Sequence, residues 1–200
     1  PVGDRSNWTP RWPDTALEMV PFGEARVVRE GSAATVVSYG RGLVLCRHAA
    51  DALATEGVDV EVIDLRCLHP FDWRTVARSI AKTRRVLFVN EDTEITNFGE
   101  HLIRLTIEEL FERLELPPRL HAGAHLPGVG LAETLENASV PTLASVSDAI
   151  RSIAQAPSRR VRHRDVAPYR APAVPMVDSL SSDAADYDFK DAIAAAGRRR

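Results

Sequence analysis

The sequence predicts an α/β fold: a three-layer, open, mostly parallel sheet with helices on both faces. Three observations predict it. Between residues 31 and 156, short β-branched runs alternate with segments whose apolar residues recur at helical spacing. One helix separates each strand from the next, which implies parallel pairing through right-handed crossovers. The 200-residue chain is 44% hydrophobic and 26% charged, enough to bury one core with segments left over on either side.

Residues 1–30 read as an N-terminal arm or linker, because Trp8-Thr9-Pro10-Arg11-Trp12-Pro13 has no period and carries two prolines. Ala34 to Tyr39 is a β-branched run ending at Gly40, which predicts a buried strand. Leu43, Cys46, Ala49, Ala50 and Leu53 then mark one face of a helix that Gly57 ends. Val58 to Asp64 alternates and then runs apolar, a second strand. Asp72, beyond the Pro70 turn, is placed to cap a helix from Trp73 to about Lys82. Arg85 to Asn90 is a third strand. Ile103, Ile107, Leu110, Phe111 and Leu114 line one face of a helix from about Gly99 to Glu115, stopped by Pro117-Pro118. Leu120 to Ala122 is a short fourth strand. Ser145 and Asp148 have capping-box spacing ahead of Ile150 and Ile153 on a last helix. Residues 157–200 turn to Arg, Pro, Ala, Ser and Asp and read as a largely extended tail, with a short helix expected near Asp186–Ala196.

Several function classes drop out. Cys46 and Cys67 are too few for a disulfide scaffold or a four-cysteine zinc site, lack any nucleophile signature, and read as small buried apolar residues. No apolar run reaches the roughly 20 residues of a membrane helix, so no membrane partner is expected. The net charge is −3, and Asp165, Asp178, Asp183, Asp186, Asp188 and Asp191 interleave with the tail arginines, so no nucleic acid is expected. The chain starts at Pro1 without a signal peptide or basic presequence, which gives a cytoplasmic expectation. His121 and His125 are spaced i, i+4, but glycine lies between them and no acidic ligand completes a metal pattern.

Ligands in open α/β sheets gather at the carboxyl ends of strands. Tyr39-Gly40-Arg41-Gly42 is not a dinucleotide fingerprint, because Leu45 fills the third glycine position; it reads as a tight strand-to-helix turn or as backbone able to approach an anion. Gly128-Val129-Gly130 follows no strand and precedes no strong helical pattern. Glu91, Asp92 and Glu94 form an acidic cluster in a predicted loop. Paired carboxylates can hold Mg²⁺ or share a proton, but without a second ligand source they read as a solvated or interface surface.

The middle of the chain resembles a known family. Val20 to Gly31 is similar to the start of the C-terminal domain in the β subunit of thiamine-diphosphate-dependent 2-oxo acid dehydrogenases. Thr35 to Gly40 resembles that family's first strand, and Val60 to Asp72, with its Leu65-Arg66-Cys67-Leu68-His69-Pro70-Phe71 core, its most recognisable stretch. Arg85 to Glu91 and Asn97-Phe98-Gly99-Glu100 resemble its third strand and the start of the following helix. The resemblance covers about residues 20–156 and implies a transketolase C-terminal-domain-like fold, without separating the pyruvate from the branched-chain type. The chain departs from the family at Asn90, where a histidine is usual, and at Gly123 to Pro127, where an Asp-Thr-Pro segment is usual. The arm and the tail also depart from it.

The resemblance implies a parent enzyme, the E1 component, that decarboxylates a 2-oxo acid on thiamine diphosphate and passes the acyl group to a lipoyl arm. Thiamine diphosphate and Mg²⁺ are held there between two other domains, one with a Gly-Asp-Gly…Asn signature and one with an activating glutamate. Neither signature occurs in this chain, so no catalytic, cofactor or metal residue is carried over, and the chain alone is expected to bind no cofactor and to be inactive. Its implied partners are the remaining E1 domains or the α subunit, a homologous β subunit and, in some members, the acyltransferase core. The expected interface is Glu91, Asp92, Glu94, Asn97 and Phe98, with Phe98 as an exposed anchor beside charges. The alternative is a free-standing adaptor that keeps the fold and binds through its tail. An autonomous enzyme site at the Gly40 turn or the Glu91 loop has the least support.

Overall fold

A computed structural model describes residues 20–158. The proposed tail, its helix near Asp186–Ala196 and the tryptophan-bearing arm lie outside the described residues. Five strands form one sheet: β1 (Arg26–Arg29), β2 (Thr35–Ser38), β3 (Glu61–Asp64), β4 (Val86–Thr93) and β5 (Arg119–Gly123), in the order β1-β3-β2-β4-β5. β2, β3, β4 and β5 are parallel, and β1 alone runs antiparallel, against β3. The helices are α1 (Gly40–Ala54), α2 (Trp73–Thr83), α3 (Phe98–Leu110), α4 (Glu133–Ser139) and α5 (Leu143–Gln155). This is the mostly parallel, two-faced α/β sheet that the alternation predicts.

Strand alternation divides the core in two. Val36, Val62, Leu87 and Val89 point to one face, where Leu45, Cys46, Ala49 and Leu53 of α1 and Val146, Ile150 and Ile153 of α5 cover them. Val37, Ile63, Val86 and Phe88 point to the other, against Val76, Ala77 and Ile80 of α2 and Leu102 and Leu110 of α3. Strands buried on both faces read as continuous apolar runs. At about 25 cal/mol per Å² of apolar surface, each fully buried valine, leucine or isoleucine contributes roughly 1.5–3 kcal/mol.

Local chemistry sets the helix ends. Asp72 caps α2, accepting from the Thr75 N–H at 3.0 Å, and its other oxygen accepts from Ala25 N–H at 3.2 Å, which ties the approach to β1 onto α2. α1 starts at Gly40, ahead of the predicted Leu43, with Tyr39 as its N-cap and no side-chain cap. α3 stops at Leu110, short of the expected Glu115: a 3₁₀ turn at Phe111–Arg113 swings Leu114 and Leu116 into the core. Thr142, not Ser145, caps α5; Ser145 sits three residues into the helix and completes a capping box, while Asp148 pairs with Arg151 on the surface.

Strand β1 was not expected, since it falls inside the segment read as an arm. Val27 and Val28 pack on opposite faces of the sheet, with a register shift between Val27 and Arg29. Helix α4 was not expected either. Among the described residues, no helix is long and apolar enough to cross a membrane.

Candidate functional site

The chain leaves β2 through α1 to β3 on one side, and α2 then carries it back past β2 to β4 on the other. The strand order therefore reverses between β2 and β4, and their carboxyl ends, Tyr39-Gly40 and Asn90-Glu91, border the crevice where such sheets bind partners and ligands. Gly42 permits this geometry. A Cβ there would lie 2.7 Å from Ser38 Oγ and 3.5 Å from the Val89 carbonyl oxygen, so glycine lets α1 start directly against β4. The Gly40–Gly42 segment is thus a tight turn from strand to helix.

Two of the three acids, Glu91 and Asp92, are not in a loop, while Glu94 lies in the bend just past β4. β4 continues through Glu91, Asp92 and Thr93 because Thr93 pairs with Gly123 of β5 beyond a register shift. Glu91, Asp92 and Glu94 are all exposed, and no described cation pairs with them. The Glu91 carboxylate lies beside Gly40, where it complements the uncapped start of α1. Burial pushes the Tyr39 phenol up, and the charges of Asp92 and Glu91 add to the shift against a smaller opposing effect of Asn90.

Asn97 and Phe98 face inward rather than forming a surface with these carboxylates. Asn97 is buried and caps α3: its Oδ1 accepts from Glu100 N–H at 3.2 Å and from Asn90 Nδ2 at 3.1 Å, and its Nδ2 donates to the Thr93 carbonyl at 2.6 Å. Asn90 is buried as well, and its Oδ1 has no partner among the described residues. Phe98 is half-buried on the second core, edge-on to Phe71 at 5.2 Å and to Tyr39 at 6.5 Å. A helix cap and an aromatic cluster, both packing devices, therefore account for two of the five expected interface residues.

The other candidate groups are also engaged. Cys46 is fully buried, and burial pushes its thiol up to about 12. Cys67 is half-buried rather than buried, contrary to the expectation. His121 Nε2 lies 2.9 Å from Ser145 Oγ, and burial holds the imidazole below its ordinary range. That serine also accepts from Thr142 N–H as part of the α5 cap, so the pair is a strut between β5 and α5. His125 lies instead by Thr93, 3.5 Å from its hydroxyl. Among the described residues, no three of His, Cys, Asp and Glu come together as metal ligands. The exposed carboxylates do not converge into a donor set for a diphosphate-bound Mg²⁺.

Sequence reasoning missed the segment that follows β5. The Ala124 N–H donates to the Ser139 carbonyl at 2.8 Å, closing residues 124–139 into a loop that includes α4. Leu126, Val129, Leu131 and Leu135 are all exposed in it. Glu94 N–H donates to Gly123 O at 2.8 Å, so the loop springs from beside the acidic end of β4. The apolar spacing of these four residues was its only signal.

The family model described as the transketolase C-terminal domain matches residues 23–146. The pyruvate dehydrogenase E1 component subunit beta of Rickettsia felis is 33% identical over 141 residues, covering 70% of this chain and 43% of that protein. The mitochondrial pyruvate dehydrogenase E1 component subunit beta of Dictyostelium discoideum is 34% identical over 137 residues, 68% of this chain and 38% of that protein. The beta subunit of an acetoin:2,6-dichlorophenolindophenol oxidoreductase from Cupriavidus necator is 33% identical over 132 residues, 66% of this chain and 39% of that protein. The chain thus spans about two fifths of the length of these relatives. A solved split-gene transketolase, an inactive beta4 tetramer, shares the fold with a TM-score of 0.56 at 23% identity, over 66% of this chain and 42% of that one. With an α/β sheet of this order and a family match across most of the described residues, the chain belongs to the transketolase C-terminal domain family.

Proposed function

We propose that this chain serves as the C-terminal domain of a 2-oxo acid dehydrogenase E1 component, acting in subunit assembly and docking rather than in catalysis. The parent reaction is decarboxylation of a 2-oxo acid with acyl transfer to a lipoyl group. Thiamine diphosphate and Mg²⁺ belong to the thiamine-binding domains, and the chain's own partners are those domains or an α subunit and a second β subunit. Three E1-type or related β subunits, each matched over this portion of the chain, support the assignment.

The observation that carries the docking role is the set of exposed carboxylates Glu91, Asp92 and Glu94, without an ion-pair partner among the described residues, beside the switch point of the sheet. Charges on a rim steer association and fix register, and their effect fades with salt. The test is to combine the full chain with the thiamine-binding E1 chains of its source and follow assembly by sedimentation. The E91Q/D92N/E94Q variant is expected to assemble at least tenfold more weakly at low salt while its melting temperature stays within about 2 °C of the parent's. A chain that sediments alone under all conditions overturns the reading.

A further inference from the structure

We infer that the loop 124–139 is a second contact surface, which seats against an apolar, cation-rimmed face of the thiamine-binding E1 chains. The inference rests on the proposed assembly role and assigns it a place. Helix α4 is the starting point. It has seven residues, of which only Ser139 is buried. Helices this short are not stable alone, and in folded proteins packing of an apolar face holds them. Here the one leucine of α4, Leu135, lies only against Gly130 of its own loop and stays more than half exposed, and in the segment leading to the helix Leu131 is fully exposed and Leu126 and Val129 are each half exposed or more. A single exposed leucine is ordinary, but four large apolar side chains crowded into one closed loop mark a contact surface.

Charge selects the occupant. Glu133 and Glu136 are exposed on α4 itself, and Glu91, Asp92 and Glu94 flank the base of the loop, tied to it through Gly123. A second copy seated loop to loop about a two-fold axis would bring the same acids together, and like charges across an interface are strongly unfavourable. A partner with an apolar hollow rimmed by Arg or Lys meets both features. The curated relatives are more than twice as long as the part matched here, which leaves ample chain to supply such a face. The loop is continuous with the acidic end of β4, so one partner surface can cover both.

The experiment is amide hydrogen exchange on peptides spanning 124–139, in the full chain alone and in the assembly with the thiamine-binding E1 chains. In the free chain the α4 amides are expected to exchange within seconds; in the assembly they slow at least tenfold. Leu131→Ser and the L131S/L135S pair should leave melting unchanged, because these side chains are exposed, and weaken assembly at least tenfold. An E133K/E136K variant should weaken it further at low salt than at high salt. Assembly with α4 unprotected, or with L131S/L135S as tight as the parent, overturns this inference and leaves the assembly role standing. No assembly at all overturns both. Self-association of the free chain that L131S abolishes would make the occupant a second copy and overturn the inference.

Discussion

Replacing Asn97 by alanine distinguishes a buried cap from a surface contact. Three hydrogen bonds end on this side chain: from Glu100 N–H at 3.2 Å, from Asn90 Nδ2 at 3.1 Å and to Thr93 O at 2.6 Å. Loss of an N-cap costs about 1 kcal/mol. The larger loss falls on Asn90, which is 1% exposed and already lacks a partner at Oδ1. Without Asn97 the buried Asn90 amide loses the acceptor of its Nδ2 as well, at a further cost of about 1–3 kcal/mol. The sum, about 2–4 kcal/mol, lowers the melting temperature of a domain this size by roughly 6–14 °C. Thermal unfolding followed by circular dichroism reads it directly. Asn97→Asp keeps the acceptor for Glu100 N–H, loses the donor to Thr93, and should fall between. In the N90A/N97A pair the costs should be less than additive, because the orphaned amide is gone. If N97A melts within 2 °C of the parent yet assembles poorly, Asn97 is a contact residue and the argument from burial fails.

Phe98→Ala should cost about 2 kcal/mol, less than the roughly 3–5 kcal/mol of a fully buried phenylalanine because Phe98 is half-buried; an unchanged melt with lost assembly would restore its role as an anchor. Glu61 is 2% exposed, accepts from Ser79 Oγ and pairs with Lys82. Burial pulls the Lys82 amine down, but hydrogen bonding and charge from Glu61, then Glu30, outweigh it and hold the amine above its ordinary range. K82M strands Glu61 and should cost about 2 kcal/mol in a denaturant titration, discounted because Lys82 is half in water, and E61Q/K82M should recover most of it. Burial lowers the His121 pKa, so the unfolded chain binds that proton more readily. Its contribution is therefore complete above the ordinary value of 6.5 and is lost as pH falls through and below it. Melts from pH 8 to pH 5 should show this loss in the parent and a flatter profile in H121Q; equal profiles would refute it. Gly31→Ala should destabilise the sheet, since a Cβ would overlap the Val60 carbonyl carbon and the Glu61 nitrogen; a melt within 1 °C of the parent would show that the β1–β2 connection yields freely.

The central strands were legible because burial on both faces leaves an unbroken apolar signature: Val36-Val37, Val62-Ile63 and Leu87-Phe88 each send one residue to either core. The helices were legible where spacing and caps agree, as at Asp72 for α2. Strand β1 was not. It is four residues long, has arginine at each end, and is defined only by pairing with β3, more than thirty positions away. The outer end of β4 failed for a similar reason: Glu91-Asp92 has little strand propensity and is held extended by the pairing of Thr93 with Gly123 of β5.

The interface residues show where a local pattern divides. Asn97 stands three residues before Glu100, the spacing of a capping box, so a cap was legible there, and that reading turns the side chain inward. Phe98 at the first helical position then follows the cap, and its ring is carried toward Tyr39 and Phe71 instead of solvent. Glu91, Asp92 and Glu94 are exposed and have no cationic side chain as partner among the described residues, so the same edge of the sheet keeps its charge outside while its amide and aromatic groups build the scaffold beneath. The unpaired carboxylates and the unburied leucines of the loop 124–139 arise from one cause, the absence of intramolecular partners among the described residues at the carboxyl edge between β4 and β5. Complementary charge and apolar surface on a second chain would satisfy both together; under the proposed docking role the acidic end of β4 and the loop 124–139 act as two parts of one contact, and E91Q/D92N/E94Q and L131S/L135S should weaken assembly non-additively.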